Sequence, residues 1–296
     1  MRMKPTTLRN LAAAAVFLSC VMAAPSASAQ ASRVFVSTAG NNAGDCSTIT
    51  TPCLTLAGAL LQVAADGEVI FLTGGEYDTA PITITQGVKV NAPTGVVAFI
   101  RQPITVNAPG ARVVLRGLTL KGDGSGNGVT VTAADAFYLE NTTLDRWLYG
   151  LHLSNAASAR VFVTGSVFRL NGYGVSDGGA VTGTVIAIDS SRFDSNNARG
   201  IDGFSSTYSV RESTFFGHIN EGAWIGPGPS NFQGCEFVRN GVGVRGFGST
   251  IRIDRNLIHG NGVGVQVNGV VETLGTNVIR GNTTNVSGAL TAVAGG

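Results

Sequence analysis

The sequence predicts an all-β fold, a single-stranded right-handed parallel β-helix with a short N-terminal capping helix. From about residue 110 the 296-residue chain repeats itself with a period of 21–25 residues. Each repeat contains about three short runs in which apolar and polar residues alternate, separated by bends rich in Gly, Asn and Ser. A repeat of this length cannot enclose a core by itself, so the repeats must stack and bury one continuous apolar column.

One apolar position marks the register of the repeats, because it ends a short β-like run in each of them. These anchor residues are Leu120, Leu144, Phe168, Phe193, Phe215, Phe237, Ile258 and Ile279. Asn stands three residues after five anchors, at Asn171, Asn196, Asn240, Asn261 and Asn282. If the coils stack in register, these amides can pass hydrogen bonds from coil to coil. Two residues before the anchors we expect an inward column of small polar side chains, in which Cys235 is an inert buried thiol.

Other solenoids with short repeats do not fit the composition and spacing. A leucine-rich repeat needs many leucines, but Leu170 is the only Leu between Arg160 and Asn256. The hexapeptide β-helix needs strict multiples of six residues, and calcium-binding rolls need Gly-Gly-x-Gly-x-Asp repeats. Neither pattern occurs, so three strands per coil with loops of varying length favour the right-handed parallel β-helix.

The first 29 residues have the pattern of a secretory signal peptide. Three basic residues precede an apolar stretch from Leu11 to Ala24, and the small-x-small motif Ala27-Ser28-Ala29 follows. We therefore expect cleavage near Ala29 and a secreted or periplasmic protein. Cys20 ends the sequence Phe-Leu-Ser-Cys and leaves lipoprotein processing as the alternative.

We expect residues 30–296 to form one β-helix domain. Residues from about 30 to 66 hold an N-terminal strand, a disulfide loop and the capping helix, and residues from about 110 to 287 form regular coils. The chain has 20 basic and 18 acidic residues, and removal of the three basic residues in the leader leaves a net charge of −1. A nucleic-acid surface has no basic cluster to support it, and no apolar run beyond the leader reaches the ~18 residues of a membrane span.

Two cysteines precede the predicted helix. Cys46 and Cys53 lie in a polar, turn-rich loop, and in an oxidising compartment we expect them to form a disulfide. A metal-binding pair is the competing interpretation, but no His or second Cys pair accompanies them. We expect no metal and no cofactor.

The helix itself is predicted from its start signals. Thr51 suits the N-cap, Pro52 suits the first helical position, and apolar residues recur at helical spacing from Leu54 to Ala65. Gly67 follows the predicted end. We expect this helix to cover the N-terminal end of the column, where it hides unpaired strand edges.

The repeats and the N-terminal segment together resemble a known family. Asn240-Gly241-Val242-Gly243-Val244, echoed 21 residues later, and the opening Val34-Phe35-Val36-Ser37 with its two-cysteine loop resemble right-handed β-helix proteins of the pectin-lyase-like superfamily. The resemblance spans nearly the whole mature chain and implies the fold. The signature motifs of polygalacturonases, pectate lyases and alginate epimerases are missing, so no catalytic residue carries over from the family.

An outward strip of polar and aromatic side chains is the candidate binding site. Each repeat has a Gly-aliphatic step, and the residues that follow it are His152, Ser176, Asp202, Trp224, Arg245 and Gln266. Just before the Gly stand Tyr149, Tyr173, Arg199 and Glu221. Aromatic rings stack on apolar sugar faces and charged groups bond hydroxyls or uronate carboxylates. The ligand-binding candidates are Tyr149, His152, Tyr173, Asp202, Trp224 and Arg245; ordinary solvated side chains are the alternative.

Catalytic candidates are fewer. A glycoside hydrolase needs two carboxylates about 5–9.5 Å apart, and Asp177 and Asp202 can face each other on neighbouring coils. A lyase or epimerase needs a base and a cation, roles that His152, Asp202 and Arg245 match only loosely. The three catalytic candidates are therefore Asp177, Asp202 and His152.

Two functions remain open at this point. The expected partner is an extracellular or cell-wall polysaccharide, bound along the strip and, if the protein is an enzyme, modified by polysaccharide lyase or glycoside hydrolase chemistry. The alternative is a non-enzymatic structural or adhesive β-helix protein of the cell envelope. A calcium-dependent lyase is disfavoured because the sequence has no dense acidic cluster.

Overall fold

The structure, a computed structural model, describes residues 30–154, 159–178 and 183–294. The predicted signal peptide lies outside the described residues. The described chain contains one helix, α1 (Leu56–Gln62), and 28 strands. In chain order the strands are β1 (Ala31–Val36), β2 (Val63–Phe71), β3 (Gly75–Tyr77), β4 (Ile82–Ile84), β5 (Val88–Asn91), β6 (Ala98–Ile100), β7 (Ile104–Arg116), β8 (Leu118–Lys121), β9 (Asn127–Glu140), β10 (Thr143–Asp145), β11 (Tyr149–Leu153), β12 (Arg160–Thr164), β13 (Val167–Arg169), β14 (Tyr173–Ser176), β15 (Val185–Asp189), β16 (Arg192–Asp194), β17 (Arg199–Gly203), β18 (Thr207–Arg211), β19 (Thr214–Phe216), β20 (Glu221–Ile225), β21 (Pro229–Gln233), β22 (Glu236–Val238), β23 (Val242–Asp254), β24 (Leu257–His259), β25 (Val263–Thr273), β26 (Val278–Ile279), β27 (Thr284–Ser287) and β28 (Thr291–Ala292).

The strands wind into a right-handed parallel β-helix, which confirms the predicted fold class. Ten short strands form the anchor sheet, in the order β26-β24-β22-β19-β16-β13-β10-β8-β6-β3. The other eighteen form one sheet, because the long strands β7, β9, β23 and β25 continue around a corner of the coil. We call the side that includes β11, β14, β17 and β20 the strip sheet, and the side that includes β12, β15, β18 and β21 the third sheet.

The anchor residues stack as predicted. Consecutive anchors from Leu120 to Ile279 pair in register on neighbouring strands of the anchor sheet. The rings of Phe168, Phe193, Phe215 and Phe237 form a nearly parallel file with centroid separations of 4.8, 4.6 and 4.6 Å. All four are fully buried. Since this separation matches the strand spacing of ~4.8 Å, each side chain packs on its equivalent one coil away.

The predicted amide ladder is also present. The side-chain oxygen of Asn261 accepts hydrogen bonds from both the backbone N–H and the side-chain amide of Asn240, at 2.9 and 3.0 Å. Asn171 and Asn196 repeat the same pair of contacts. His218 fills the slot between Asn196 and Asn240, and its Nδ1 accepts the Asn196 backbone N–H at 3.1 Å. The ladder therefore continues through a coil that lacks the amide.

The small polar column two residues before the anchors is buried, as predicted. The Oγ of Ser166 accepts the backbone N–H of Thr142, and the Oγ of Ser191 does the same for Ser166, each at 3.2 Å. Cys235 lies in this column as a buried free thiol. Burial raises the pKa of the Cys235 thiol to about 11, so the thiol stays protonated at neutral pH.

The N-terminal segment differs in part from the prediction. The Cys46–Cys53 disulfide is confirmed, and the loop that it closes pairs with β1: the backbone N–H groups of Phe35 and Ser37 donate to the carbonyls of Cys46 and Cys53, both at 2.9 Å. The disulfide loop therefore covers the exposed edge of the first strand. It shares this role with the predicted capping helix, α1, which packs at the same end of the stack.

The helix boundaries predicted from the sequence were wrong at both ends. Helix α1 begins after Thr55, whose Oγ1 accepts the Gly58 N–H at 2.9 Å, because residues 51–53 are held in the disulfide loop. The Asp78 carboxylate accepts the N–H groups of Leu56 and Ala57, both at 3.0 Å, and this contact comes from the following coil. Val63 is already extended, because pairing of β2 with β1 and β5 overrides the helical spacing. Helix α1 packs on β1, β2 and β4 at the N-terminal end of the stack.

Regular stacking begins well before residue 110. Strands β2, β3 and β4 form a coil whose strands pair with β5, β6 and β7 of the next coil. Tyr77 and Ile100 are the anchors of these early coils and pair in register. The repeat was not recognisable here because Ala80 and Pro103 stand where later coils place Asn.

Candidate functional site

The strip residues form one ladder on the strip sheet. His152 pairs with Ser176, Ser176 with Asp202, Asp202 with Trp224, and the ladder continues to Arg245 and Gln266. The aliphatic residues that precede them point inward and are fully buried, at Leu151, Val175, Ile201, Ala223, Val244 and Val265. Alternation along a strand therefore places the strip side chains on the outer face. We use the name strip for Tyr149, His152, Tyr173, Ser176, Arg199, Asp202, Glu221, Trp224, Arg245 and Gln266.

One end of the strip is aromatic. The rings of Tyr149 and Tyr173 stack at 5.0 Å with 17° between their planes, and the His152 ring lies 4.9 Å from that of Tyr149. Burial lowers the pKa of His152, so the imidazole is neutral at neutral pH. Burial also raises the pKa of Tyr149. This end is therefore an uncharged surface that carries hydroxyl groups.

The centre of the strip is an ion-pair network. Arg199 bonds the carboxylate of Asp202 through Nη1 and that of Glu221 through Nε, the latter at 2.8 Å. Arg245 Nη1 lies 3.1 Å from the other oxygen of Glu221. Burial raises the pKa of Asp202, although the Arg199 guanidinium acts in the opposite direction. Burial lowers the pKa of Arg199 but hydrogen bonds to Glu221 and Asp202 outweigh it, so that the pKa lies above its ordinary value.

The other end of the strip is a cluster of three rings. Trp224 lies 5.0 Å from Phe204 and 5.8 Å from Phe247, between centroids, and these rings belong to three successive coils. The Arg199 guanidinium lies over the Trp224 ring at 5.0 Å. Phe204 and Phe247 are 38% and 50% exposed, whereas Trp224 is half-buried between them. The outermost apolar surface therefore belongs to the two phenylalanines.

Phe204 and Phe247 were not among the predicted site residues. A signal was present, because each stands two residues after a strip residue, at Asp202 and Arg245, and residues two apart on a strand face the same way. The expectation that the whole ladder is exposed also needs correction. Ser176 and Asp202 are buried, because Asp202 is drawn into contact with Arg199 and lies 3.4 Å from the Ser176 hydroxyl.

Asp177 does not face the strip surface. It is fully buried, and its two carboxylate oxygens accept the backbone N–H groups of Phe204, Ser205 and Ser206 at 2.7, 3.0 and 2.8 Å. Asp177 thus holds the turn that presents Phe204. These contacts argue against the predicted catalytic role for Asp177.

The outer face of the third sheet carries a second group of side chains that sequence reasoning did not single out. Tyr138 and Phe162 stack at 4.7 Å, and the Arg112 guanidinium lies 4.7 Å above the Tyr138 ring. A shallow groove of ≈ 260 Å³ lies beside them and is also lined by Lys89 and Glu68. The available signal was an aromatic residue at the outward position of an alternating strand.

Two further properties follow from the described residues. No group of three or more His, Cys, Asp or Glu side chains among them is arranged to hold a metal ion. Their single helix is too short to cross a membrane.

Several solved structures match the chain at low identity. A rhamnogalacturonan lyase matches with a TM-score of 0.48 and 12% identity, over 81% of this chain and 72% of that one. The pectate lyase Pel9A matches with a TM-score of 0.43 and 15% identity, over 88% and 77% of the two chains. The A-module of the Azotobacter vinelandii mannuronan C-5 epimerase AlgE6 matches with a TM-score of 0.45 and 15% identity, over 77% and 89%. No protein-family profile and no curated protein matches the chain.

Proposed function

We propose that the protein binds a polysaccharide whose chain lies along the solenoid axis on the strip. The observation that carries the proposal is the order of the strip: stacked tyrosines, a polar network, and then the Phe204–Trp224–Phe247 rings. Apolar sugar faces pack on such rings, while hydroxyls hydrogen-bond to the polar groups between them. The strip crosses six coils from β11 to β25, or about 24 Å at the usual strand spacing. That length suits a polymer better than a single sugar.

The same proposal places the protein outside the cytoplasm. It is supported by the Cys46–Cys53 disulfide, because disulfides persist mainly in secreted and periplasmic proteins. The leader pattern in the sequence points the same way. We propose a secreted or periplasmic location after cleavage near Ala29.

Binding, without turnover, is the activity that the geometry favours. The carboxylates of Asp202 and Glu221 are both buried and both bonded to Arg199. A glycoside hydrolase needs two carboxyl groups that flank the scissile bond, with one of them able to reach a water or the sugar carbon. A guanidinium occupies the space between these two carboxylates.

Substitution of Trp224 by Ala tests the proposal. For any polysaccharide that binds the unaltered protein, we expect the affinity to fall about 3- to 10-fold. An aromatic contact contributes ~0.5–1.5 kcal/mol in addition to the burial of its apolar surface, and loss of Trp224 also removes the ring against which Phe204 and Phe247 pack. Affinity electrophoresis or calorimetry against a broad panel of polysaccharides measures this. Phe216→Ala is the matched control, since Phe216 is a half-buried ring beneath an arginine on the anchor sheet, outside the strip.

Two results would contradict the proposal. Equal affinity of the Trp224→Ala and Phe216→Ala variants would place the site elsewhere. Absence of binding across the panel would favour the structural or adhesive alternative. The same panel, assayed for new reducing ends and unsaturated sugars, reports any turnover.

A further inference from the structure

The strip has no cation available for an acidic ligand. Its permanent cations are Arg199 and Arg245, and both are bonded to carboxylates of the strip itself. Two guanidinium groups face two carboxylates, Asp202 and Glu221, so the network is neutral as a unit. His152 adds no charge, because burial lowers its pKa.

Diverting either arginine to a ligand breaks an ion pair with a buried carboxylate. The side chains of Asp202 and Glu221 are each 5% exposed. If Arg199 turned to bind a uronate carboxylate, the buried Asp202 would lose its ion-pair partner, and if Arg245 turned, the buried Glu221 would lose one of its two. The attraction to the ligand would form at the surface, where solvent weakens it, while the loss would occur in the interior.

The surfaces that remain accessible are apolar rings with neutral polar groups beside them. Phe204 and Phe247 present the largest exposed apolar area, and Tyr149 and Tyr173 provide hydroxyls at the other end. Gln266 adds an amide one coil beyond Arg245. Rings and neutral hydrogen-bonding groups match the CH faces and hydroxyls of uncharged sugars.

We propose that the ligand of the strip is an uncharged polysaccharide built from neutral hexoses, and that the strip discriminates against polyuronates. This inference rests on the proposed function, because it names the class of ligand for the same site. Glu221 is the specificity-determining residue, since its two oxygens bond Arg199 and Arg245 separately and its charge, together with that of Asp202, makes the network neutral. The selectivity is therefore set by a residue that need not touch the ligand.

The first test compares ligand classes on the intact protein. Mixed-linkage β-glucan and galactomannan serve as neutral probes, and polygalacturonate and alginate as acidic ones, each at about 20 and about 200 mM NaCl. We expect the neutral polymers to bind at least about tenfold more tightly, with less than about a twofold change between the two salt concentrations. Tighter binding of a polyuronate that salt weakens would overturn the inference and leave the proposed function standing. If none of the four polymers or the broader panel binds, both fail.

The second test removes one negative charge from the ion-pair network. Glu221→Gln keeps the shape of the side chain but leaves Arg245 without a carboxylate, while Asp202 still pairs with Arg199, so the network gains one net positive charge. We expect affinity for polygalacturonate at low salt to rise about tenfold. Glu236→Gln is the matched control, because it makes the same change in net charge on the anchor sheet, outside the strip, where the Glu236 carboxylate lies 3.5 Å from His259 Nε2. An equal gain in the two variants would overturn the role of Glu221. If Glu221→Gln fails to fold, the comparison of ligand classes on the unaltered protein still decides the inference.

Discussion

Removal of one ring from the phenylalanine file should destabilise the whole solenoid. Phe215 is fully buried, with Phe193 and Phe237 stacked on its two faces, each at 4.6 Å. Phe215→Ala leaves a gap the size of a ring between neighbours that cannot close it, because backbone hydrogen bonds hold the coils ~4.8 Å apart. Substitution of a buried Phe by Ala lowers the free energy of unfolding by about 3–5 kcal/mol. Because the surrounding coils cannot move in to fill the gap, we expect a loss near the upper end, about 4–5 kcal/mol.

Urea denaturation measures the effect. With a dependence on urea of about 3 kcal/mol per molar, a loss of 4 kcal/mol lowers the midpoint by roughly 1.3 M. The adjacent Phe216 provides the control, because it faces outward and its contact with Arg239, at 5.9 Å, is a cation–π pair. Phe216→Ala should cost about 0.5–1 kcal/mol. If the two variants lose the same stability, or if Phe215→Ala loses less than about 1 kcal/mol, the stacked phenylalanine rings do not stabilise the core as argued.

Substitutions in the amide ladder should also change stability. Asn240→Ala removes the acceptor of the His218 N–H and the donor to the Phe215 carbonyl, both at 3.0 Å, and should lower the free energy of unfolding in urea by about 3 kcal/mol. Asn231→Ala is the control and should lower it little, because the buried side-chain oxygen of Asn231 has no hydrogen-bond partner among the described residues. Burial lowers the pKa of His218 from 6.5 to about 4, so the unfolded chain binds the proton more readily than the folded one. The stability that this group contributes is present above pH 6.5 and falls by about 3 kcal/mol as the pH drops to about 4. His218→Asn restores the amide of the other coils and should remove that part of the pH dependence of the free energy of unfolding. An unchanged pH profile in His218→Asn would show that the imidazole is not buried in its neutral form.

The register of the fold was predictable because it is a local pattern repeated many times. Phe168, Phe193 and Phe215 recur at intervals that the sequence shows directly, and stacking requires equivalent positions to coincide. The helix was predicted less well, because its spacing from Leu54 to Ala65 competes with strand pairing that the local sequence does not show. Pairing of β2 between β1 and β5 decided the end of the helix at Gln62.

For the candidate site, the register of the strip residues was predictable, but their exposure to solvent was not. Alternation placed Asp202, Trp224 and Arg245 on one face, and the structure confirms their register. Burial of Asp202 could not be predicted, because it depends on Arg199 folding over it from the adjoining bend. The exposure of Phe204 likewise depends on a turn that a carboxylate from the preceding coil holds in place.

The amino-acid sequence by itself determined the winding of the chain, since a repeat of 21–25 residues with one apolar anchor can bury its core only by stacking on the next repeat. It also determined which side chains lie above one another. The tertiary structure alone decided which of those neighbours neutralise each other, because an ion pair depends on the direction of long side chains across coils and not on their spacing in the chain. The charge balance of the strip, and with it the class of ligand that we propose, is set at that level.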